Sequence, residues 1–308
     1  MYKYVIQRVL IIIPTLLFII FVVFVIMNIT PGDPATIILG RDAPASARVQ
    51  LTKELGLDKP LLERYALYVF DAARLDFGKS YRSGTPVFQD ILNKFPTTLQ
   101  LAILSVFFGT LIGIPLGILS AVKQYSALDI SLTVSSLFLA SIPGFWFGMI
   151  LILILSLGLR LLPSSGIGTW KHLVMPVMTL ALPMAAFLSR MTRTTMLETM
   201  RMDYIRTAKA KGAGQQRIIW RHAIKNALMP VITVIGMSFA GLLGGAMITE
   251  IVFGLPGIGN AIVMAIKMKD IPIVMASTIF LAVLFMLIML VVDLVYAFID
   301  PRIRSQFK

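Results

Sequence analysis

Apolar residues fall into six runs, near residues 9–30, 99–122, 130–158, 173–190, 228–253 and 274–299. At about 1.5 Å of rise per residue, all but the fourth exceed what a hydrocarbon core of roughly 30 Å demands of a helix. The fourth, "LVMPVMTLALPMAAFLS", is shorter and carries Pro176 and Pro183. The pattern predicts an all-α membrane protein of six transmembrane helices. The first run follows Lys3 and Arg8 and passes straight into "NITPGDP". It is longer than the apolar core of a cleaved signal and lacks a small-residue cleavage site, so it is expected to remain as the first helix.

Three regions follow from this spacing: a first helix over 1–30, a segment over 31–98, and a core of five helices over 99–308. The middle segment is patterned rather than a bare loop. In "ASARVQLTKELGLDKPLLERYALYVFDAARL", Leu61, Tyr65, Tyr68 and Val69 recur at helical spacing. Gly56 and Pro60 mark a break before them. A small helical segment is expected there, either docking an outside partner or capping the bundle.

Charge decides the orientation. The formal net charge is +13, yet Lys and Arg sit between apolar runs, with no aromatic-interleaved groove or zinc-finger spacing that would suggest nucleic acid. With the N-terminus inside, the cytoplasmic loops and ends hold 15 Lys and Arg against 4 in the short outer loops. Cytoplasmic loops carry the excess in membrane proteins. Residues 31–98 hold 9 basic and 8 acidic residues, and so long a loop is largely exempt from that rule. Both termini are therefore expected in the cytoplasm, and 190–229 becomes the largest cytoplasmic loop.

Composition excludes several chemistries. The chain has no cysteine and only two histidines, His172 and His222, so thiol chemistry and a histidine metal cluster are not expected. No G-x-x-x-x-G-K-[ST] loop is present. "GLPGIG" at 254–259 follows no strand and reads as a tight turn after the fifth helix. Glu250 and Asp293 are the acids in the apolar runs. Each is a candidate for gating or for a structural ion pair. Gly109, Gly113 and Gly117 recur every fourth residue, as do Gly241 with Gly245, and Gly236 with Ala240 and Gly244. Such rows mark close helix contact, within one subunit or between two.

The stretch "RTAKAKGAGQQRIIWRHAIKNALMP", 206–230, carries six Lys or Arg and no acid. From Ile218 it is amphipathic. Ile219, Ala223 and Ala227 form one row, Trp220, Ile224 and Leu228 its neighbour, and Arg217, Arg221 and Lys225 the opposite side. A helix lying along the inner membrane surface is expected, its arginines toward anionic headgroups. Gly212 and Gly214 separate it from the polar "DYIRTAKAKG". Ala208, Ala210 and Ala213 ring this glycine turn, a small-residue tip suited to a protein groove.

"DYIRTAKAKGAGQQRIIWRHAIKNALMPVIT" resembles the E-A-A-x-x-x-G loop of permease subunits in binding-protein-dependent ABC importers. "ITPGDPA", "ELGLDKPLLERY", "DFGKSYRSGTPV", "FGLPGIGNA" and "VVDLVYAFIDPRIR" resemble, in order, the first or B-type permease of the oligopeptide, dipeptide and nickel group. Ala208 matches the second alanine of the loop and Gly212 its glycine. Arg206 and Thr207 stand where the glutamate and first alanine would be, and Lys225 falls near the usual proline, which comes later as Pro230. These departures look like the peptide group's own variant. The resemblance implies a coupling helix that docks on a separate ATPase subunit, through Tyr204, Ala208, Lys209, Ala210, Gly212 and Ala213. It implies a second permease, two ATPases, an extracytoplasmic binding protein and surrounding lipid as partners. ATP and magnesium would bind those ATPases, with no cofactor on this chain, which would not itself be an enzyme. The implied solute is a dipeptide or oligopeptide, alternatively a nickel chelate or glutathione, on a path along the second to fifth helices. A self-sufficient secondary transporter is the reading from a different class.

Overall fold

The computed structural model describes residues 2–29, 34–40 and 42–299. In chain order the helices are α1 (Tyr2–Ile29), α2 (Pro34–Leu39), α3 (Ala45–Glu54), α4 (Leu61–Ala73), α5 (Val87–Val122), α6 (Ala127–Ser141) and α7 (Gly144–Leu151), which continues as a π-helical turn to Gly158. Then come α8 (Lys171–Met200), α9 (Asp203–Ala210), α10 (Gln215–Arg217), and a π-helical turn (Ile218–Ala223) leading into α11 (Ile224–Gly245). The chain continues with α12 (Met247–Val252), α13 (Ile258–Met268) and α14 (Ile271–Ile299). Among the described residues the only β pairing is an isolated bridge between Lys79 and Pro86. Residues 30–33 of "ITPGDPA" and the arginines beyond Ile299 lie outside the described residues.

Five helices are long and apolar enough to cross a membrane: α1, α5, α8, the continuous Gln215–Gly244 and α14. The run at 130–158 supplies a sixth only as a broken span, because α6 and α7 meet at 101°. The sixth span is thus sharply bent, which the length of the run does not show, and the cause is local. Pro143 biases the residue before it to extended backbone, and Ile142 sits at φ −83°, ψ 127°. Pro176 and Pro183, by contrast, lie inside a continuous α8. Prolines are tolerated in membrane helices where neighbouring groups satisfy the freed carbonyls.

The chain forms two compact units. Of the described residues, one takes in those up to Thr98 together with Pro256–Leu287; the other takes in Leu99–Leu255 and 288–299.

In the first unit, α4 lies on α1 by its aromatic row. Tyr65 meets Phe21 edge-on at 5.3 Å between ring centres and donates its hydroxyl to the Leu17 carbonyl at 2.8 Å. Tyr68 faces Phe24 at 6.1 Å. Leu61, read on the same side, is exposed. The loop 76–86 is pinned by Asp270, which is buried at the start of α14. Its carboxylate accepts from the Ser80 hydroxyl at 2.5 Å and the Tyr81 amide at 3.1 Å. Burial pushes the Tyr81 phenol above its usual range, with Arg64 opposing the shift and Asp270 adding to it. The turn at the start of "GLPGIG" leads into α13, whose Ile258 amide donates to Thr98 Oγ1 at 2.9 Å.

In the second unit, α5 packs on α8 through its glycine row. A Cβ on Gly109 would stand 3.3 Å from the Ala181 carbonyl oxygen. On Gly113 it would stand 2.7 Å from that of Ala185, and on Gly117 2.5 Å from that of Ser189. At Gly113 and Gly117 the α8 backbone itself comes within 3 Å, while at Gly109 the Met184 side chain is nearest, so the row is packing within one subunit. At Gly236 a side chain fills the space instead: a Cβ there would stand 2.2 Å from Val292 Cγ2 on α14. Gly241 and Gly244 face open space. An apolar core of Leu101, Leu151, Met175, Phe253 and Leu255 fills the body of this unit.

Candidate functional site

The site grows from one buried residue. Ile205, on α9, is fully buried in a cluster with Ala121, Met196, Ile218, Ile219, Ala223 and Ala227. That cluster belongs to the end of α5, the end of α8 and the start of the long helix through α11. Tyr204, beside it, accepts a hydrogen bond from Asn226 Nδ2 at 2.7 Å, and its hydroxyl lies 3.5 Å from the His222 carbonyl. An eight-residue helix has little stability of its own. Here two adjacent residues fasten it at its first turn.

Its other end is closed by glycine. The Ala213 amide donates to the Ala208 carbonyl at 3.1 Å and the Gly212 amide to that of Lys209 at 2.9 Å. This paired arrangement is a Schellman cap, which needs a left-handed residue at its centre. Gly212 supplies it with φ +79°, and a Cβ there would meet nothing. Lys209, Ala210 and Gly212 are exposed, while Ala208 and Ala213 are half-buried. The six sequence-derived residues therefore lie along α9 and its cap, Tyr204 at the first turn and Ala208, Lys209, Ala210, Gly212 and Ala213 at the far end, where Lys209, Ala210 and Gly212 are exposed. Ile205 was not among them, although an apolar residue between Tyr204 and Arg206 on so polar a helix was a signal for the anchor.

The surface-lying helix expected from Ile218 is corrected. Residues 215–223 run directly into α11 and are part of the same Gln215–Gly244 span. Ile219, Ala223 and Ala227 are buried as the row predicted, but Trp220, read on the neighbouring apolar row, is 67% exposed. The π-helical turn Ile218–Ala223 changes the angular step in this stretch, so the regular wheel misplaces it. Helices also cover 190–200 and 215–229, leaving α9 and its flanking turns at 201–214.

One turn along α8 from Met196 lies an interaction absent from the sequence reading. Arg193 donates Nε to Asp129 Oδ1 at 2.6 Å and Nη2 to Oδ2 at 2.8 Å. The same carboxylate, 2% exposed as a residue, also accepts from Ser120 Oγ at 2.5 Å and the Tyr125 amide at 2.9 Å. Four donors leave it saturated. It ties the end of α5, the following turn and the start of α6 to α8. Ser126 caps α6 by accepting from the Asp129 amide, the only local hint that this acid is structural.

Glu250 is fully buried in α12 and Asp293 half-buried in α14. Toward the Trp170 end of α8, in the same unit, an open, mainly apolar groove of about 690 Å³ runs between α5 and α8, lined by Leu104, Phe108, Trp170, Val177 and Met178.

Residues 113–305 match the family described as binding-protein-dependent transport system inner membrane component, and residues 1–102 match its N-terminal family. The oligopeptide transport system permease protein AppB of Bacillus subtilis (strain 168) is 39% identical over 315 residues, covering 99% of this chain and 100% of that protein. The glutathione transport system permease protein GsiC of Escherichia coli (strain K12) is 38% identical over 307 residues, covering 99% of each. Among solved structures, the inward-facing MetNI methionine ABC transporter superposes with a TM-score of 0.56 at 19% identity, over 68% of this chain and 96% of that one. An amino acid ABC transporter gives 0.53 at 14% identity, over 70% and 94%. At these identities the structures speak for a shared fold.

Proposed function

Since the chain belongs to the family of binding-protein-dependent transport system inner membrane components and is a multi-pass inner-membrane protein, we propose that it is the B-type permease of an ATP-driven importer of peptides. It forms the solute path with a second permease. Two ATPase subunits dock below, and a binding protein delivers solute from outside. ATP and magnesium bind the ATPases, this chain holds no cofactor, and it catalyses no reaction itself. The peptide class is supported by relatives named for oligopeptide and for glutathione transport at nearly equal identity. Glutathione is itself a small peptide, so that second reading narrows the solute without changing the mechanism.

The observation that carries the proposal is the build of α9: buried at Ile205, capped at Gly212, bare at Ala210. A lever must be fixed to what it moves and exposed to what drives it. Ile205 and Tyr204 fix α9 to the ends of α5, α8 and α11, and the small tip is free to enter a groove on the motor. ATP binding draws the motor subunits together, and the differential affinity of ATP for the two states biases the bundle between inward-facing and outward-facing forms. The excess of Lys and Arg in 190–229 supports a cytoplasmic position for this tip, with both termini on the same side. The groove between α5 and α8 supports a path lined by apolar surface, which suits a solute whose own backbone carries the polar groups.

The assembled transporter in vesicles tests this. It should accumulate labelled di- and tripeptides with ATP and the binding protein present, and not with ADP. Accumulation by this chain alone without ATP would overturn the motor and favour a secondary transporter.

A further inference from the structure

We infer that the open cavity of the first unit holds a short peptide by its two charged ends, the carboxylate at Arg64 and the ammonium at Asp71. This deepens the peptide reading above and rests on it. It adds a solute site built from other residues than the groove between α5 and α8.

The cavity measures about 1400 Å³ and is bounded by α1, α3, α4, the loop 76–86 and the start of α14. Phe24, Met27 and Met275 form its apolar part, each less than a tenth exposed. Phe24 and Met27 lie near the Ile29 end of α1, the end that the proposed orientation puts outside. A usual small-molecule pocket has about 300 to 1,000 Å³, so this one is wide enough to leave side-chain shape unread. Selection then falls to its fixed charges. One face of α4 lines the cavity with Arg64, Leu67, Tyr68 and Asp71. Seven residues of helix put Arg64 and Asp71 within about 20° of one another and about 10.5 Å apart along the axis.

The fold uses neither charge. Among the described residues Arg64 has no carboxylate partner and lies 5.8 Å from the centre of the Phe24 ring. Asp71 is exposed and enters no ion pair among them. The other acids of the cavity are engaged: Glu54 accepts from Gln50 Nε2 at 2.9 Å, and Asp76 from the Gly78 amide at 2.9 Å. Of its other cations, Lys59 pairs with Glu63, Arg82 Nε donates to the Met268 carbonyl, and Lys53 and Lys79 lie off the α4 face. Nor does α4 itself favour the two charges, since a cation near the start of a helix and an acid near its end both oppose the helix dipole. A peptide laid along this face, carboxylate toward the start of α4 and ammonium toward its end, meets the dipole and both side chains with the right sign. Length selects the ligand. Three extended residues span at most about 10 to 11 Å, which matches the axial separation, whereas a free amino acid covers about a third of it.

The test uses the assembled transporter in nanodiscs, without ATP or the binding protein, and measures equilibrium binding of radiolabelled trialanine with free ends, N-acetylated or C-amidated. Each cap should weaken binding by roughly two- to fivefold, the range of a solvent-exposed ion pair. Arg64→Gln should erase the difference between acid and amide and keep the acetyl effect. Asp71→Asn should do the reverse, a crossed pattern that a merely structural role does not produce. Equal binding of free and capped peptides by the parent would overturn the site, whether or not the variants assemble. Both differences persisting in both variants would place the peptide elsewhere and overturn it as well. ATP-driven uptake of the same peptide, with the binding protein present, separates this site from the reading beneath it. Uptake without end-dependent binding overturns the site alone; neither uptake nor binding overturns both.

Discussion

Glycine does opposite work in two parts of the second unit, and the contrast separates what is fixed from what is offered to a partner. Along α5, Gly113 and Gly117 exist for space: the carbonyl oxygens of Ala185 and Ser189 stand where a Cβ would go. At the end of α9, Gly212 has empty space around it and exists for its backbone angle, φ +79°. The first use welds two long helices into one body. The second turns a short helix sharply so that its tip stands clear. The proposed drive from outside the chain would require both, a body that moves as one and a handle on it.

The largest expected effect comes from filling the weld. Gly117→Leu would drive a side chain into the Ser189 carbonyl and Thr192, where backbone cannot yield. Overpacking costs about 1 to 3 kcal/mol where neighbours can shift; here the obstacle is the α8 backbone, so α5 and α8 would have to part along the row, losing more than any single pair. The variant should fail to accumulate in the membrane, read by immunoblot of membrane fractions. Next comes Arg193→Ala, which leaves the Asp129 carboxylate buried with Ser120 and the Tyr125 amide but no counter-charge. Removing one partner of a buried pair costs about 3 to 5 kcal/mol. A lower melting temperature of the purified protein should report it, and an unchanged one would count against the clasp.

Gly212→Leu should behave differently. A left-handed residue with a side chain costs about 1 to 2 kcal/mol, and the surrounding space is open. Membrane level should hold while ATP-driven uptake falls several-fold. Uptake equal to the parent would remove Gly212 from the coupling contact. The smallest effect should come from Gly241→Ala, whose Cβ would meet nothing within the chain. If its membrane level and uptake match the parent, the glycine row of α11 is idle surface. If co-purification of the second permease is lost, that row is a subunit interface.

Where sequence and structure agree and part follows the range of the forces involved. The spans were legible because apolar runs of about 20 residues have few other uses in a chain so poor in charge. Gly212 was legible because glycine at the end of a polar helix signals a left-handed cap. The bend between α6 and α7 was missed although "SIPGF" carried it, because an apolar run reports composition and not direction. The start of α5 was placed twelve residues late, at 99 rather than Val87, because its first three turns are too polar to register as a membrane run. Arg193 and Asp129 are 64 residues apart, and no local pattern links them. Trp220 was assigned to the wrong side because a regular period cannot anticipate a π-helical turn.

The central claim is that the α9 tip meets a separate ATPase. The chain has no cysteine, so Ala210→Cys creates a unique attachment point for a short photo-crosslinker. In the assembled transporter, irradiation should join this chain to an ATPase subunit, with the attachment mapped by mass spectrometry to a groove on its surface. A product with the binding protein, or a labelled tip that joins to no ATPase in a transporter still competent for uptake, would contradict the account.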